Sequence, residues 1–244
     1  LLDPRTLYLP PNKSELKSAL HQRMAQVPIE DLEYQIEQLC IFKQINVLRV
    51  AAADVAGTLP LMRVSDYLTE IAETILAEVI ELAYNHLVSK HGTPNCRLGS
   101  RICERGFVVI AYGKLGGLEL GYGSDLDLVF LHAGTTEQTS GDKRTIDSAQ
   151  FFNRLGQRVI HILTSHTRAG RAYEIDTRLR PSGSSGILVS HIEAFADYQL
   201  KEAWTWEHQA LIKARPICGD EVLTQRFADI REQILALPRN PSAL

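Results

Sequence analysis

The most constraining feature of this sequence is a change in the spacing of its apolar residues near residue 100. Before that point apolar residues recur every three or four positions, as Leu68, Ile71 and Ile75 do, which is typical of amphipathic helices. After it, short apolar runs at 107–111 and 126–131 stand between turn-forming residues, which predicts strands. The sequence therefore predicts an α+β fold, in which a small mixed sheet with helices on one side is preceded and followed by helices.

Helix-end signals refine the helical part of this prediction. Asn12 followed by Glu15 forms the pattern of a capping box, which predicts a helix to about residue 26. A second helix is expected from about residue 30, and a third from Ser65 to Gly92, a residue well suited to end it. Three regions are expected: a helical lead-in, a core that contains the sheet, and C-terminal helices packed on that core, at residues 1–100, 101–190 and 191–244.

Composition excludes several functional classes. The 244 residues are 45% hydrophobic, and no apolar run approaches the roughly 20 residues that a membrane-spanning helix needs. A net charge of -3 and a pI near 6.3 give no bulk attraction to nucleic acid. Four scattered cysteines without a CxxC pair are typical of reduced thiols in the cytoplasm. The first residues form no signal peptide and lack an initiator methionine, so we expect a cytoplasmic fragment of a longer protein.

Two aspartates stand at the start of the second predicted strand. Because side chains alternate along a strand, Asp125 and Asp127 project to the same face, whereas Leu126 and Leu128 point into the core. Adjacent carboxylates repel each other unless a cation lies between them, and Mg²⁺ suits such a pair of oxygen ligands. A DxD pattern alone more often marks a solvated strand end, and it is the residues before this one that favour a metal site.

The stretch before this pair is rich in glycine. Five glycines and one lysine lie within eleven residues, at Gly113, Lys114, Gly116, Gly117, Gly121 and Gly123. Glycine lets consecutive backbone N–H groups converge on a phosphate, and Lys114 adds positive charge at the same place. The alternative is a flexible loop. The position between two apolar strands, with acids at the far end, favours a cradle for a triphosphate.

A third acidic position lies in the next predicted strand, at 172–179. If side chains alternate along it, two acids and two arginines share one face, namely Glu174, Asp176, Arg178 and Arg180. Such a face would also fit an exposed sheet edge with cross-strand ion pairs. The functional interpretation makes Asp176 a third metal ligand and directs Arg178 and Arg180 towards phosphates.

Together these parts predict nucleotidyl or phosphoryl transfer with two metal ions. One ion would lower the pKa of the attacking hydroxyl, and the other would neutralise the pyrophosphate that leaves. The chain contains neither a GxxxxGK[ST] loop nor the HRD sequence of protein kinases. A nucleic-acid polymerase is disfavoured because the pI is acidic.

Several stretches carry a family resemblance. GKLGG, ELGYGSDLDLVF and DTRLRPSGSSG are similar to motifs of the DNA polymerase β-type nucleotidyltransferase superfamily and, more narrowly, of bacterial glutamine synthetase adenylyltransferases. Residues 48–73 and 206–220 resemble the same narrower family. The resemblance covers most of the chain and implies a polymerase β-like nucleotidyltransferase sheet in the core at 101–190.

The resemblance also implies a site and a reaction. Asp125, Asp127 and Asp176 would hold two Mg²⁺ ions, and ATP would be the substrate. The implied nucleotide-binding residues are Gly113, Lys114, Gly116, Gly117, Gly123, Ser124, Arg178 and Arg180. AMP would pass to a tyrosine of glutamine synthetase, with the PII signalling protein as a regulatory partner and with neither nucleic acid nor membrane as a partner.

Enzymes of this family contain two related halves with opposite activities. The GYGSDLDL motif is more similar to that of the adenylylating, C-terminal half. The deadenylylating half, which removes AMP by phosphorolysis, would use the same carboxylates and is an alternative. A second alternative is an inactive nucleotidyltransferase fold that serves as a regulatory binding module, which three mutually repelling carboxylates disfavour.

The segment at 204–215 has helical spacing that places Trp204, His208 and Leu211 on one face. Core packing is expected for its aromatic residues. Lys213 and Arg215, near its end, are candidates for a contact with the nucleotide or with the target protein.

Overall fold

Helices and a small mixed sheet make up the computed structural model, which describes residues 9–141 and 144–238. The α-helices are α1 (Lys13–Met24), α2 (Leu32–Val55), α3 (Leu61–His91), α4 (Gly113–Gly116), α5 (Ser148–Thr164), α6 (Ile192–Lys201), α7 (Thr205–Ala210) and α8 (Glu221–Leu235). The strands are β1 (Arg97–Leu98), β2 (Arg101–Ile102), β3 (Phe107–Ala111), β4 (Leu126–His132), β5 (Ile175–Asp176), β6 (Val189–His191) and β7 (Arg215–Gly219). The α+β class is confirmed. The expectation that the chain is a fragment rests on its two ends. Residues 1–8 and 239–244 of those ends lie outside the described residues.

The main sheet contains five strands in the order β5–β4–β3–β7, with β6 also paired to β4. β3 is antiparallel to β4 and to β7, whereas β5 and β6 run parallel to β4. β5 pairs with the start of β4, and β6 pairs with its end. This arrangement leaves the start of β4 and the short β5 together at one end of the sheet.

Helices cover both faces of the sheet, which corrects the prediction of helices on one side. Phe107 and Val109 of β3 share a core with residues of α1, α2, α3 and α5. Val108 and Ile110 share the opposite core with residues of α6 and α8. All five residues of β3 are buried, as a continuous apolar run requires in a strand that is covered on both faces.

The predicted helices of the lead-in are present, and one begins earlier than expected. The Asn12 side chain accepts a hydrogen bond from the backbone N–H of Glu15, and the Glu15 carboxylate accepts one from the N–H of Asn12, which confirms the capping box. The helix expected from Ser65 begins at Leu61, directly after a proline, and Gly92 follows its last residue with a φ of 78°. In the described parts of the chain, no helix combines the length and the apolar character needed to cross a membrane.

The lead-in and the sheet share one hydrophobic core, because Leu16 of α1 and Ile75 of α3 belong to the same cluster as Phe107. The C-terminal region also contributes to the sheet through β7, which pairs with β3 where the sequence predicted helix. β7 is only partly buried and includes Pro216, so it shows neither an apolar run nor regular alternation. Its position connects the C-terminal helices to the centre of the fold.

Candidate active site

The parallel pairing of β4 and β5 sets two of the predicted aspartates side by side. Asp127 of β4 lies opposite Asp176 of β5, and Leu126 lies opposite Ile175. Residues paired across neighbouring strands point to the same face of a sheet. Asp125 directly precedes β4 and is exposed. The aspartate site (Asp125, Asp127 and Asp176) therefore lies at one end of the sheet.

The two acids beside Asp127 affect its carboxyl group more strongly than the two nearby cations do. Burial raises the pKa of its carboxyl group above the ordinary value, and the charges of Asp125 and Asp176 raise it further. Arg178 and Lys114 oppose this increase but do not cancel it. Because the charges of Asp125 and Asp176 disfavour the ionised form of Asp127, a bound cation would remove repulsion that the fold otherwise bears.

Asp176, in contrast, already has a cationic partner. Its carboxylate accepts hydrogen bonds from the backbone N–H and from Nε of Arg178, each at 2.8 Å. This pairing lowers the pKa of Asp176, although the Arg178 side chain is 77% exposed. In the described residues no three His, Cys, Asp or Glu side chains form a complete set of metal ligands. Arg178 therefore competes with a metal ion for the carboxylate of Asp176.

The segment around Asp176 corrects the strand predicted at 172–179. Only Ile175–Asp176 is a strand, because the rest of the β4 edge pairs with β6, and the chain then turns. The alternation that would have placed Arg178 and Arg180 on one strand face is therefore absent. Arg180 donates to the carbonyl oxygen of Thr177 at 2.8 Å and to the backbone of the following loop. A phosphate contact by Arg180 stays a prediction.

The glycine turn, residues 113–117, lies directly beside the aspartate site. Its residues Gly113–Gly116 form one helical turn, α4; the predicted triphosphate cradle stays a prediction. Gly113 has a φ of +53°, and a Cβ atom there would lie 2.1 Å from Oδ2 of Asp127. Only glycine permits this approach, since any side chain would meet the carboxylate. The exposed Lys114 follows at once, which puts a cation at the same edge.

The other glycines of the turn serve close packing. A Cβ atom on Gly116 would lie 2.2 Å from the carbonyl oxygen of Lys213 and 2.7 Å from that of Ala111. One on Gly117 would lie 3.0 Å from Cδ of Lys213. These two glycines let the segment before β7 pass directly over the turn. Phosphate contacts by their N–H groups remain predictions.

A second turn closes the connection to β4. The Ser124 hydroxyl accepts a hydrogen bond from the N–H of Gly121 at 3.1 Å, and the space beside Gly123 is open. Tyr122 donates its hydroxyl to Asp54 at the end of α2, at 2.9 Å. Nucleotide binding by Gly123 and Ser124 stays a prediction, but both stand on an accessible turn next to Asp125.

Arg215 makes a contact that the sequence did not predict. Its Nε and Nη2 donate to the carbonyl oxygens of Gly116 and Leu115, each at 3.0 Å. Nη2 also lies 2.5 Å from the carboxylate of Glu73 in α3, which pairs in turn with Lys13 at 2.5 Å. We call Lys13, Glu73 and Arg215 the turn anchor. It ties the glycine turn to the lead-in helices through a carboxylate that is only 6% exposed.

The rest of the 204–215 segment differs from the prediction in its aromatic residues. Trp204 is 71% exposed, whereas Leu211 is buried as expected. Trp204 is the N-cap of a helix of only six residues, and its exposure shows that the prediction of core packing for this ring is wrong. Lys213 forms an ion pair with Glu119 at 2.7 Å, just after the glycine turn.

Comparison with known proteins adds a family to this geometry. Residues 1–230 match the family described as glutamate-ammonia ligase adenylyltransferase. The chain is 52% identical over 246 residues to the bifunctional glutamine synthetase adenylyltransferase/adenylyl-removing enzyme of Thioalkalivibrio sulfidiphilus. It is 52% identical over 244 residues to the protein of the same name in Pseudomonas aeruginosa. Both alignments cover the whole chain but 25% of the relative, so the chain spans about a quarter of the length of the curated relatives it matches.

Proposed function

This chain belongs to the glutamate-ammonia ligase adenylyltransferase family, and we propose that its aspartate site transfers AMP from ATP to a tyrosine hydroxyl of glutamine synthetase, with release of pyrophosphate. The names of the relatives supply the transferred group and the target protein, and the motif resemblance supplies the tyrosine. The observation that carries the proposal is the register that sets Asp127 opposite Asp176, with Asp125 just before the same strand.

Asp125, Asp127 and Asp176 are the residues that would hold Mg²⁺. Burial and acidic neighbours raise the pKa of Asp127, so the site gains from added positive charge, and carboxylates are ligands that Mg²⁺ prefers. When bound, two such ions would supply activation of the hydroxyl and neutralisation of the leaving pyrophosphate.

Arg178 and Lys114 are the cations that the chain itself brings to the site. The charges of both lower the pKa of Asp127, so both act on the same carboxylate. We expect Arg178 to leave Asp176 when metal and ATP bind, and to pair with a phosphate group, because a guanidinium can donate to two phosphate oxygens at once. The N–H groups of the glycine turn, which Arg215 keeps in place, would orient the triphosphate.

A second candidate function rests on the other half of the relatives' name, which describes an adenylyl-removing enzyme. Removal of AMP by phosphorolysis would use the same three carboxylates. The GYGSDLDL motif is more similar to that of the adenylylating half, so adenylylation stands first. For the longer enzyme we propose a cytoplasmic location and the PII signalling protein as a regulatory partner, both on the family resemblance.

The experiment is label transfer from [α-³²P]ATP to unmodified glutamine synthetase in the presence of Mg²⁺. We expect labelled synthetase with the wild-type chain and background label with Asp125→Asn. The matched control is Asp229→Asn, which makes the same change at an exposed aspartate of α8 and should label as the wild type does. Equal labelling by Asp125→Asn and wild type would contradict the metal assignment.

If no label is transferred, release of AMP from adenylylated glutamine synthetase is measured with added phosphate. Release by the wild type that is lost in Asp125→Asn would replace the first function with the second. If a normally folded chain shows activity in neither assay, the regulatory binding module is the function that remains.

A further inference from the structure

A basic cleft lies between α3 and α5, away from the aspartate site. It has a volume of about 340 Å³ and is formed by the last turns of α3 and one face of α5. Its ionisable residues are all cationic or imidazole groups, namely His86, Lys90, His91, Arg154, Arg158 and His161. Among the described residues, no carboxylate lines the cleft.

Helical spacing directs these residues into one place. Lys90 follows His86 by four positions on α3, while Arg158 follows Arg154 by four and precedes His161 by three on α5. Residues three or four apart lie on the same side of a helix, and the like charges of Arg154 and Arg158 at that spacing destabilise α5. The two facing helices therefore concentrate positive charge at a cost that a bound anion would offset.

Histidines, not carboxylates, hold the two arginines. Nη1 of Arg154 lies 3.0 Å from Nε2 of His91, and Nη2 of Arg158 lies 3.1 Å from Nε2 of His86. A guanidinium only donates, so each Nε2 must offer a lone pair. Nδ1 of His91, 2.9 Å from the carbonyl oxygen of Arg144, then carries the proton. Each arginine is thus fixed in position by a neutral ring that leaves its charge uncompensated.

Arg158 also has a donor to spare. Its Nε is buried and has no hydrogen-bond partner in the part of the chain that the structure describes. Burial, followed by the charges of Arg158 and Lys90, lowers the pKa of His86, which favours its role as a neutral acceptor. A fixed guanidinium with an unused N–H is suited to an anion that has several oxygen atoms.

We propose that this cleft binds a small phosphate-bearing metabolite, either inorganic phosphate or a phosphomonoester. A phosphate group carries about -1.5 to -2 charges at pH 7, which matches two arginines supported by Lys90. The cleft is shallow and open to solvent, which leaves room for an organic portion beside the phosphate. No residue of the aspartate site lines the cleft, so anion binding here is independent of the proposed transfer reaction.

The test is a titration of the whole chain with inorganic phosphate and, separately, with glycerol 2-phosphate, followed through histidine ring signals in NMR spectra. Single His→Gln substitutions assign the eight histidines. We expect saturable shifts for His86 and His91 and none for His21 or His208, and sodium chloride at equal ionic strength should give no saturation. Tighter binding of the ester would identify a phosphomonoester as the ligand, and tighter binding of phosphate would identify the free ion.

Substitutions then locate the binding. Arg154→Gln and Arg158→Gln should each weaken phosphate binding at least about tenfold, the loss expected for one hydrogen bond between charged groups. The matched control, Arg168→Gln, alters an exposed arginine outside the cleft and should bind as the wild type does. Asp127→Asn should leave the His86 titration unchanged, which separates this cleft from any phosphate held at the aspartate site.

Thermal melting verifies that each variant is folded, and Arg158→Lys, which keeps the charge with fewer donors, should bind with intermediate affinity. Shifts that never saturate and that chloride reproduces would overturn the proposal. So would equal phosphate affinity in the wild type and in folded Arg154→Gln and Arg158→Gln proteins.

Discussion

Two carboxylates near the glycine turn have opposite electrostatic surroundings. Glu73 lies between Lys13 and Arg215, each 2.5 Å away, and its side chain is 6% exposed. Asp127 is partly buried beside two other acids, and its pKa is raised by burial and by their charges. A buried carboxylate between two cations holds helices and turn together, whereas a carboxylate whose pKa is raised by burial and by neighbouring acids is stabilised when a cation binds. Removal of the charge of Glu73 should therefore lower the stability of the metal-free protein, whereas removal of the charge of Asp127 should not.

The largest effect is expected on activity, from Asp127→Asn. We expect adenylyl transfer to fall on the order of 1,000-fold, because metal ligation contributes several kcal/mol to the transition state. The melting temperature of the metal-free protein should stay the same or rise, since the change removes a repelled charge. Label-transfer kinetics and thermal melting measure the two quantities. Near-normal activity of Asp127→Asn, or a clear loss of its stability, would contradict the different roles assigned to Asp127 and Glu73.

The next effect is on stability, from Glu73→Gln. Lys13 and Arg215 would lose their shared partner, and we expect the free energy of unfolding to fall by about 3 kcal/mol, the lower end for a broken buried pair, because Lys13 is half exposed. Urea unfolding measures this change. The control is Glu78→Gln on the same helix, where burial raises the pKa of the carboxyl group and the described residues provide no ion pair. It should keep or increase stability, and equal losses in both variants would contradict the turn anchor.

A smaller effect should connect the two regions, from Arg215→Lys. Lysine keeps the positive charge beside Glu73 but lacks the fork that reaches the carbonyl oxygens of Leu115 and Gly116. We expect the KM for ATP to rise about tenfold with a smaller change in kcat, since about one charge-assisted hydrogen bond is lost. An unchanged KM for ATP with a lowered melting temperature would show that Arg215 contributes to stability and not to ATP binding.

The smallest effect is on the pH dependence of stability without metal. The pKa of Asp127 is raised in the folded state, so the folded protein takes up a proton as pH falls towards the ordinary value of about 3.9 and regains stability. The melting temperature of Asp127→Asn should therefore exceed that of the wild type by less at pH 4 than at pH 7, with a decrease of about 2 °C in the difference. Asp176 acts oppositely, because Arg178 lowers its pKa and its stabilisation is lost only at still lower pH. A constant advantage across this range would contradict the environment assigned to Asp127.

Local patterns account for what the sequence could predict. The capping box at Asn12 and the helix end at Gly92 depend on neighbours within one turn, and both were confirmed. Alternation around Asp125 and Asp127 predicted a shared face, and strand register sets Asp176, the third ligand that the sequence predicted, opposite Asp127. Metal and nucleotide binding by these residues stays a prediction until it is measured.

Distant contacts account for what the sequence could not predict. Arg215 donates to backbone carbonyl groups, which every residue possesses, so no residue type marks its partners. The strand at Ile175–Asp176 is short because β6 occupies the rest of the β4 edge, a competition that local alternation does not reveal. Trp204 was expected in the core because helical spacing was extended past the start of a six-residue helix.

The contact between Arg215 and Gly116 joins residues that are 99 positions apart, and this separation has a consequence for biosynthesis. All three aspartates and the glycine turn leave the ribosome well before Arg215 does. A contact that closes so long a stretch of chain also forms late in folding, because the ordering of that stretch must come first. A nascent chain therefore holds its acidic residues without a secured turn until β7 has been synthesised and has joined the sheet.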